Sequence, residues 1–317
     1  MLSLVVWSIA ALFIDLTTPW LRLPVAIAFG IAILAVLILI RGALRKTLAC
    51  LVGFAAVLAW WLTIAPSNDR AWQGDVARAA WADIDGDIVT IHDLRNFEYR
   101  TETDYTPRWE ERAYDLSQIC GVDLFITYWG IALDRSSDRQ LPDRTGPACR
   151  DLDRDPQDYF AFRGFFRQYE LIYIIADERD LIGLRTNYRS GEEVYLYHTT
   201  ATADAARAIF LDYLRSANEL HARPAFYNAL TSNCTTNIRL HAKAAGSKAA
   251  PWDWRLLLNG KSDEFAYQYG RLAGNLPFAA LKEQAHINEA AHAADAAAEF
   301  SALIRQGRVG FEPAAVQ

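Results

Sequence analysis

The sequence predicts an α+β protein carried on transmembrane helices. Three observations lead there. The first 65 residues are almost uncharged, whereas the rest of the 317-residue chain holds nearly all the acids and bases. Short runs of β-branched and aromatic residues then alternate with irregular polar stretches. The clear helical patterns of this second part come after most of those runs, and strands followed by helices make an α+β order rather than a repeating βαβ one.

Residues 1–65 read as a membrane anchor of two to three helices. Val5 to Trp20 is the weakest run, because it contains Asp15 and two threonines. Pro24 to Ile40 is uncharged, and Leu48 to Ile64 resembles it and ends on Trp60 and Trp61, a pair suited to a membrane interface. Between these two runs lie Arg41, Arg45 and Lys46. The positive-inside rule puts that loop in the cytoplasm, so the third run crosses outward and everything after Ala65 lies outside the inner membrane. No basic segment precedes the first run, which argues against a cleaved signal peptide.

Residues 66–80 read as a linker, and residues 81–317 as one domain. Trp81 to Asp87 is a turn signal leading into the strand Ile88 to His92. Val122 to Trp129 is a second strand. Tyr169 to Ala176 is a third, ended by Asp177 to Asp180, where a salt-bridged turn is expected. Glu193 to His198 is a fourth, with Val194 and Leu196 on one side and Tyr195 and Tyr197 on the other. Asp204 is placed to cap a helix running to about Leu220, with Ala206, Phe210, Tyr213, Ala217 and Leu220 as its apolar stripe. The alanine-rich tail from Ala285 to Ile304 reads as helix, with His286 and His292 in solvent.

A net charge of −6 gives no general case for nucleic-acid binding. The four cysteines, Cys50, Cys120, Cys149 and Cys234, match no metal spacing, and neither a metal nor a cofactor is expected. Cys120 and Cys149 are available to pair in an oxidising compartment. Cys234 is the residue that invites chemistry. It sits in the polar run Tyr227 to Asn237, and a helical pattern through Ile238, Leu240, His241, Ala244 and Ala245 follows directly. A cysteine at a helix N-terminus has its thiolate stabilised by unpaired N–H groups and the helix dipole, and a thiolate is the nucleophile of acyl transfer. A free cysteine is also an ordinary core residue, but Ser232, Asn233, Thr235 and Thr236 fit a buried site poorly. A base must come within about 3 Å of the thiol. His241 would stand two turns away on the same helix, roughly 10 Å along its axis, and His221, at the end of a helix, is expected to be exposed. His92 and His198, both on strands, are the remaining candidates. Asn233 and Asn237 can orient a base, donate to an oxyanion or cap the helix. A second class of function is a non-catalytic module that holds lipid or peptide on the aromatic-rich surface of Tyr99, Tyr105, Trp109 and Tyr114.

Asp93 to Arg100, Val122 to Trp129, Gly164 to Leu171, Ala176 to Asp180, and Tyr227-Asn228 through Asn233-Cys234-Thr235-Thr236-Asn237 occur in this order. Together they resemble the bacterial family known as the Lnb N-terminal periplasmic domain, over about Trp81 to Phe311. That family is similar to permuted papain-like (NlpC-type) cysteine enzymes, in which a strand-borne histidine precedes the cysteine. The resemblance implies such a fold with a central antiparallel sheet, Cys234 as nucleophile, and a periplasmic domain tethered to the inner membrane by a multi-pass anchor. It also implies acyl transfer on lipoproteins. The function expected of Cys234 is acyl-group or amide-bond chemistry, as an acyltransferase or amidohydrolase, with membrane lipids, lipoproteins or peptidoglycan-associated substrates as partners.

Residues 130–163 depart from the family's pattern. The family continues with an Ala-His-Thr motif and a Ser-Ile-Glu-x-Arg strand, whereas this chain is rich in Arg, Asp and Pro and holds no histidine between His92 and His198. The matching base position is therefore empty, and an inactive copy of the enzyme is one expectation for this sequence. A shifted reading frame is one account of this and an ordinary divergent loop is the other: codons for Leu152 to Asp158 can be chosen so that reading one base later gives Ser-Ile-Glu-Thr-Arg-Lys. Sequencing the gene beside close relatives is expected to show compensating insertions and deletions around residues 130–163, and an unshifted frame rejects the reading.

Overall fold

The computed structural model describes residues 1–70, 72–129, 141–143, 147–150, 166–227, 261–295 and 297–311. They fall into two compact units, one containing residues 1–70, 166–170 and 224–227 and the other the remainder.

The first unit is built on α1 (Leu2–Asp15), α2 (Pro19–Leu39) and α3 (Ala43–Thr63). Pro19 opens α2 at a position whose N–H needs no partner. α2 and α3 are long and apolar enough to cross a membrane, and α1 is shorter. The acid that weakens the first run is satisfied. Asp15 is buried and accepts hydrogen bonds from Trp61 Nε1 and Gln168 Nε2, both at 2.6 Å. Arg167 donates to the carbonyls of Leu62 (3.2 Å) and Ile64 at the end of α3, and its guanidinium lies 4.2 Å from the Trp61 ring centroid. The segment 166–168 is thus tied to the polar end of the helices through orphan helix carbonyls, a buried acid and a cation–π contact.

The second unit is mixed helix and antiparallel sheet. One three-stranded sheet has β1 (Trp81–Asp85) beside β2 (Ile88–Arg95) and β2 beside β5 (Trp109–Asp115), and short two-stranded pairs join β3 (Glu98–Tyr99) to β4 (Tyr105–Thr106) and β8 (Pro147–Arg150) to β9 (Glu170–Tyr173). Gly86, at φ +60°, makes the two-residue turn between β1 and β2. Asp93 is a non-glycine residue in the left-handed region, at φ 54°. It lies where the register of β2 against β5 slips between Ile91 and Leu94, a bulge that bends the strand. β5 has no clean sequence alternation, because charged residues occupy both its sides, Glu110 and Arg112 half-buried and Glu111 and Asp115 exposed.

The bulge delivers Arg95 into the interior. Arg95 is 2% exposed and pairs through Nε and Nη2 with Asp180, which is 1% exposed, at 2.8–3.1 Å. Asp180 Oδ2 also accepts from the Phe97 backbone N–H at 2.6 Å, and Arg95 Nη1 donates to the Asp75 carbonyl at 2.9 Å. The Arg95 backbone joins the same node, donating to Ile175 and accepting from Asp177. The third strand is shorter than its apolar run, covering Glu170–Tyr173. The expected turn at 177–180 is a helix instead: Asp177 caps α4 (Glu178–Gly183) by accepting from the Arg179 N–H at 3.1 Å.

The other three-stranded sheet runs β10 (Glu192–His198), β6 (Asp123–Trp129), β7 (Leu141–Asp143), all antiparallel. The two faces of β10 meet two cores. Val194 and Leu196 pack with Phe125, Ile182, Ile287 and Phe300. Tyr195 and Tyr197 face Ile126, Tyr128, Leu272 and Leu281. The alanine-rich tail from Ala285 to Ile304 is not one helix but two, Asn288–Ala293 and Phe300–Leu303, set off from a preceding helix, Phe278–Ala285, that ends on its first residue. It breaks where it covers the open edge of β10: Ile287 donates to the Val194 carbonyl at 2.9 Å, and the Asn288 amide bonds both Val194 N and Glu192 O at 2.8 Å. Covering an edge strand overrides alanine's helix preference. His286 is correspondingly not free in solvent but bonded to Glu193, while His292 is exposed.

α5 spans Ala203–Ala222. Its cap is Thr202, whose hydroxyl accepts from the Ala205 N–H at 3.3 Å, rather than Asp204, which lies in the first turn and pairs with Arg207. Asn218 clips the helix to β1 through both Ala82 backbone groups at 2.7 Å. Cys120 is free and exposed, and the side chain of Cys149 lies outside the described residues. Replacing Arg95 or Asp180 by Ala leaves a buried charge without its partner and is expected to cost about 3–5 kcal/mol. Thermal melting of the full chain checks this, and Arg95→Met combined with Asp180→Leu should recover part of the loss.

Candidate functional site

Cys234 and Asn233 lie outside the described residues, as do Asn237, His241 and most of 130–163. The two histidines proposed as bases are described, and their surroundings differ.

His92 sits in the middle of β2, opposite Trp81 on β1, and its ring stacks on that indole at 3.9 Å between centroids. Both ring nitrogens are engaged, Nε2 with Asp83 at 3.1 Å and Nδ1 with Glu111 at 2.8 Å. It has no nitrogen left to receive a proton from a thiol without breaking one of these contacts. His221 is also held, through Nδ1 to the Ala79 carbonyl at 3.0 Å.

His198 closes β10, and the register of the sheet sets it directly opposite Asp123, the first residue of β6. Nδ1 lies 2.7 Å from Asp123 Oδ1, an arrangement that fixes the proton on Nδ1. Nε2 has no hydrogen-bond partner among the described residues, and a third of the side chain is exposed. This is the geometry of an oriented base, with one nitrogen held by a carboxylate and the other open. The second Asp123 oxygen accepts from Arg305 Nε at 2.9 Å and Nη2 at 2.8 Å. Arg305 is also bonded by both oxygens of Glu178, at 2.6 and 2.7 Å. Burial works against the Arg305 charge, but the hydrogen bonds that Arg305 donates to Glu178 and Asp123, with their negative charges, outweigh it, so its pKa moves up. Phe311 packs 5.2 Å from the imidazole.

Next to His198 is a cavity of about 10 Å³ bordered by Ala273, Gln284, Arg308 and Val309, room for about one water. A larger, wholly apolar cavity of about 480 Å³ lies in the first unit between α1 and α2, lined by residues such as Ile9, Phe13 and Ile27. The described residues contain no group of His, Cys, Asp and Glu able to hold a metal. Of the aromatic surface, Tyr105 and Trp109 pack on Phe97 at 5.1 and 5.0 Å and Tyr99 on Tyr105 at 5.3 Å, forming a half-buried cluster. Tyr114 is elsewhere, against Phe210.

Asp123 and Arg305 were missed in sequence, and Glu178 was read only as part of a turn. Each is an unremarkable charged residue until the strand register and the fold of the tail bring them to His198. A separate signal comes from comparison with known proteins. No curated protein and no solved structure matches the chain. A family model does match, beginning inside the stretch that departs from the family's pattern and covering less of the chain than the resemblance suggested. The conclusion is that residues 150–260 match the Lnb N-terminal periplasmic domain family, the family that the motifs around Cys234 resemble, on a chain with two N-terminal helices long enough to cross a membrane.

Proposed function

We propose that this protein is a thiol enzyme anchored in the inner membrane by several helices, with a papain-like domain in the periplasm. Its substrates are acyl or amide groups of lipoproteins or of related lipid or peptide material. Cys234 is the nucleophile and His198 the base. The observation that carries the reading is the His198–Asp123 pair with Nε2 open.

Nε2 of His198 takes the Sγ proton of Cys234, and the thiolate attacks the carbonyl carbon. Backbone N–H groups hold the oxyanion, with Asn233 as a further donor. The intermediate expels its leaving group, which takes the proton from His198, and a thioester remains. An amine or water, deprotonated by His198, attacks the thioester, and Cys234 leaves as a thiolate that takes the proton back. Asp123 holds the ring in one tautomer and stabilises the imidazolium throughout.

The rate of Cys234 alkylation against pH, read on its peptide by mass spectrometry so that Cys50, Cys120 and Cys149 do not interfere, tests this on the full chain. A thiolate pKa near ~6 is expected. His198→Gln should move it toward the ordinary value of about 8.5 and slow alkylation at neutral pH by about ten-fold. A wild-type value near ~8.5 overturns the reading. The topology is tested apart from the chemistry: a cysteine placed in the loop of Arg41 to Lys46 should resist impermeant thiol reagent on intact spheroplasts, and Cys120 should react.

A further inference from the structure

The contacts of His198 do not end at Asp123. Glu178 at the start of α4, Arg305 from the tail, Asp123 on β6 and His198 on β10 form one continuous chain of charge-assisted hydrogen bonds at 2.6–2.9 Å. Arg305 is fixed on every side. Nη1 also donates to the Ser301 carbonyl at 2.7 Å, and its guanidinium carbon lies 5.8 Å from the Phe125 ring centroid and 5.7 Å from that of Phe311. A planar fork bonded by two carboxylates and flanked by two rings is a setting in which arginine and lysine are not interchangeable.

We propose that Arg305 is a positioning residue for His198, holding the Asp123 carboxylate against Nδ1 and offsetting that carboxylate's pull on the imidazole. The proposal rests on the reading of His198 as a base. A base must be neutral when the thiol arrives, yet a carboxylate at 2.7 Å favours the imidazolium. Arg305 bonds the opposite oxygen of the same carboxylate and works against that effect. Glu178 moderates Arg305 in turn. Among the described residues, the other charged residues beside this end of β10 are Arg308, which borders the same small cavity, and Arg271, whose backbone meets the strand through the bond Thr200 N to Arg271 O, next to Ala273 N to His198 O. All of these additional charges are positive, so Asp123 is the carboxylate to be balanced.

The test is the titration of His198 by NMR on full-length protein with ring-labelled histidine. The chain has six histidines, and the signal missing in His198→Gln identifies the one required. Arg305→Gln is expected to raise the His198 pKa by about one unit, a ten-fold change in its protonation ratio. Arg305→Lys should restore only part, and Glu178→Gln should shift it slightly down. A folded Arg305→Gln protein with an unchanged His198 titration overturns the proposal. If Arg305→Gln does not fold, Glu178→Gln decides, and an unshifted titration there overturns it. Alkylation of Cys234 is followed in parallel. If His198→Gln leaves that rate unchanged while Arg305→Gln shifts the titration, the base reading falls and the link between Arg305 and His198 stands. The reverse pattern removes Arg305 and leaves the base.

Discussion

The buried pair Arg95–Asp180 is the constraint on which the second unit depends. Two charges that are at most 2% exposed must satisfy each other and the backbone around them, because an unpaired buried charge costs several kcal/mol. They do so by gathering four segments: the end of β2, the Phe97 backbone, the Asp75 carbonyl and the first turn of α4. The bulge at Asp93 exists within this arrangement, since it re-aims the strand so that Arg95 points inward while Arg78 pairs with the bulged residue. Once Asp180 is fixed, Glu178 is fixed two residues earlier on the same helix. Glu178 holds Arg305, Arg305 holds Asp123, and Asp123 holds His198. A structural ion pair and the proposed base are thereby joined through one short helix.

The contrast between His92 and His198 shows how environment sorts two residues of the same type on similar strands. His92 lies mid-strand between two exposed carboxylates and against an indole, so both nitrogens are occupied. His198 lies at a strand end with one cross-strand carboxylate, and one nitrogen remains open. A strand end gives an imidazole a neighbour on one side only, and catalytic groups gain from being held by one partner while facing a reactant with the other.

The first unit answers a different problem. Apolar helices leave polar groups at their ends, and Asp15 with the last carbonyls of α3 are such groups. Trp61, Gln168 and Arg167 satisfy them, so a segment distant in sequence completes the helical hairpin. The indole of Trp61 serves twice, as a donor through Nε1 and as a face for the guanidinium.

The sequence alone determined what depends on near neighbours along the chain. Apolar length fixed the two long helices. Period-two alternation gave the strands ending at Trp129 and His198, and a 3.6 period gave α5 and its buried stripe. The polar frame around Cys234 carried the family. Local reading stopped where a distant partner had the deciding say. The cap of α5 is an exception and a local matter, since Thr202 takes the Ala205 N–H three residues on and leaves Asp204 in the first turn. The alanine-rich tail was a continuous helix until the edge of β10 took residues 287 and 288. The importance of Asp123 and Arg305 for His198 could not be read at all, because each pairing crosses 75 or more residues. Propensity and periodicity act over a few residues, whereas cross-strand register and the choice of ion-pair partner are settled only when the sheets and the tail have packed.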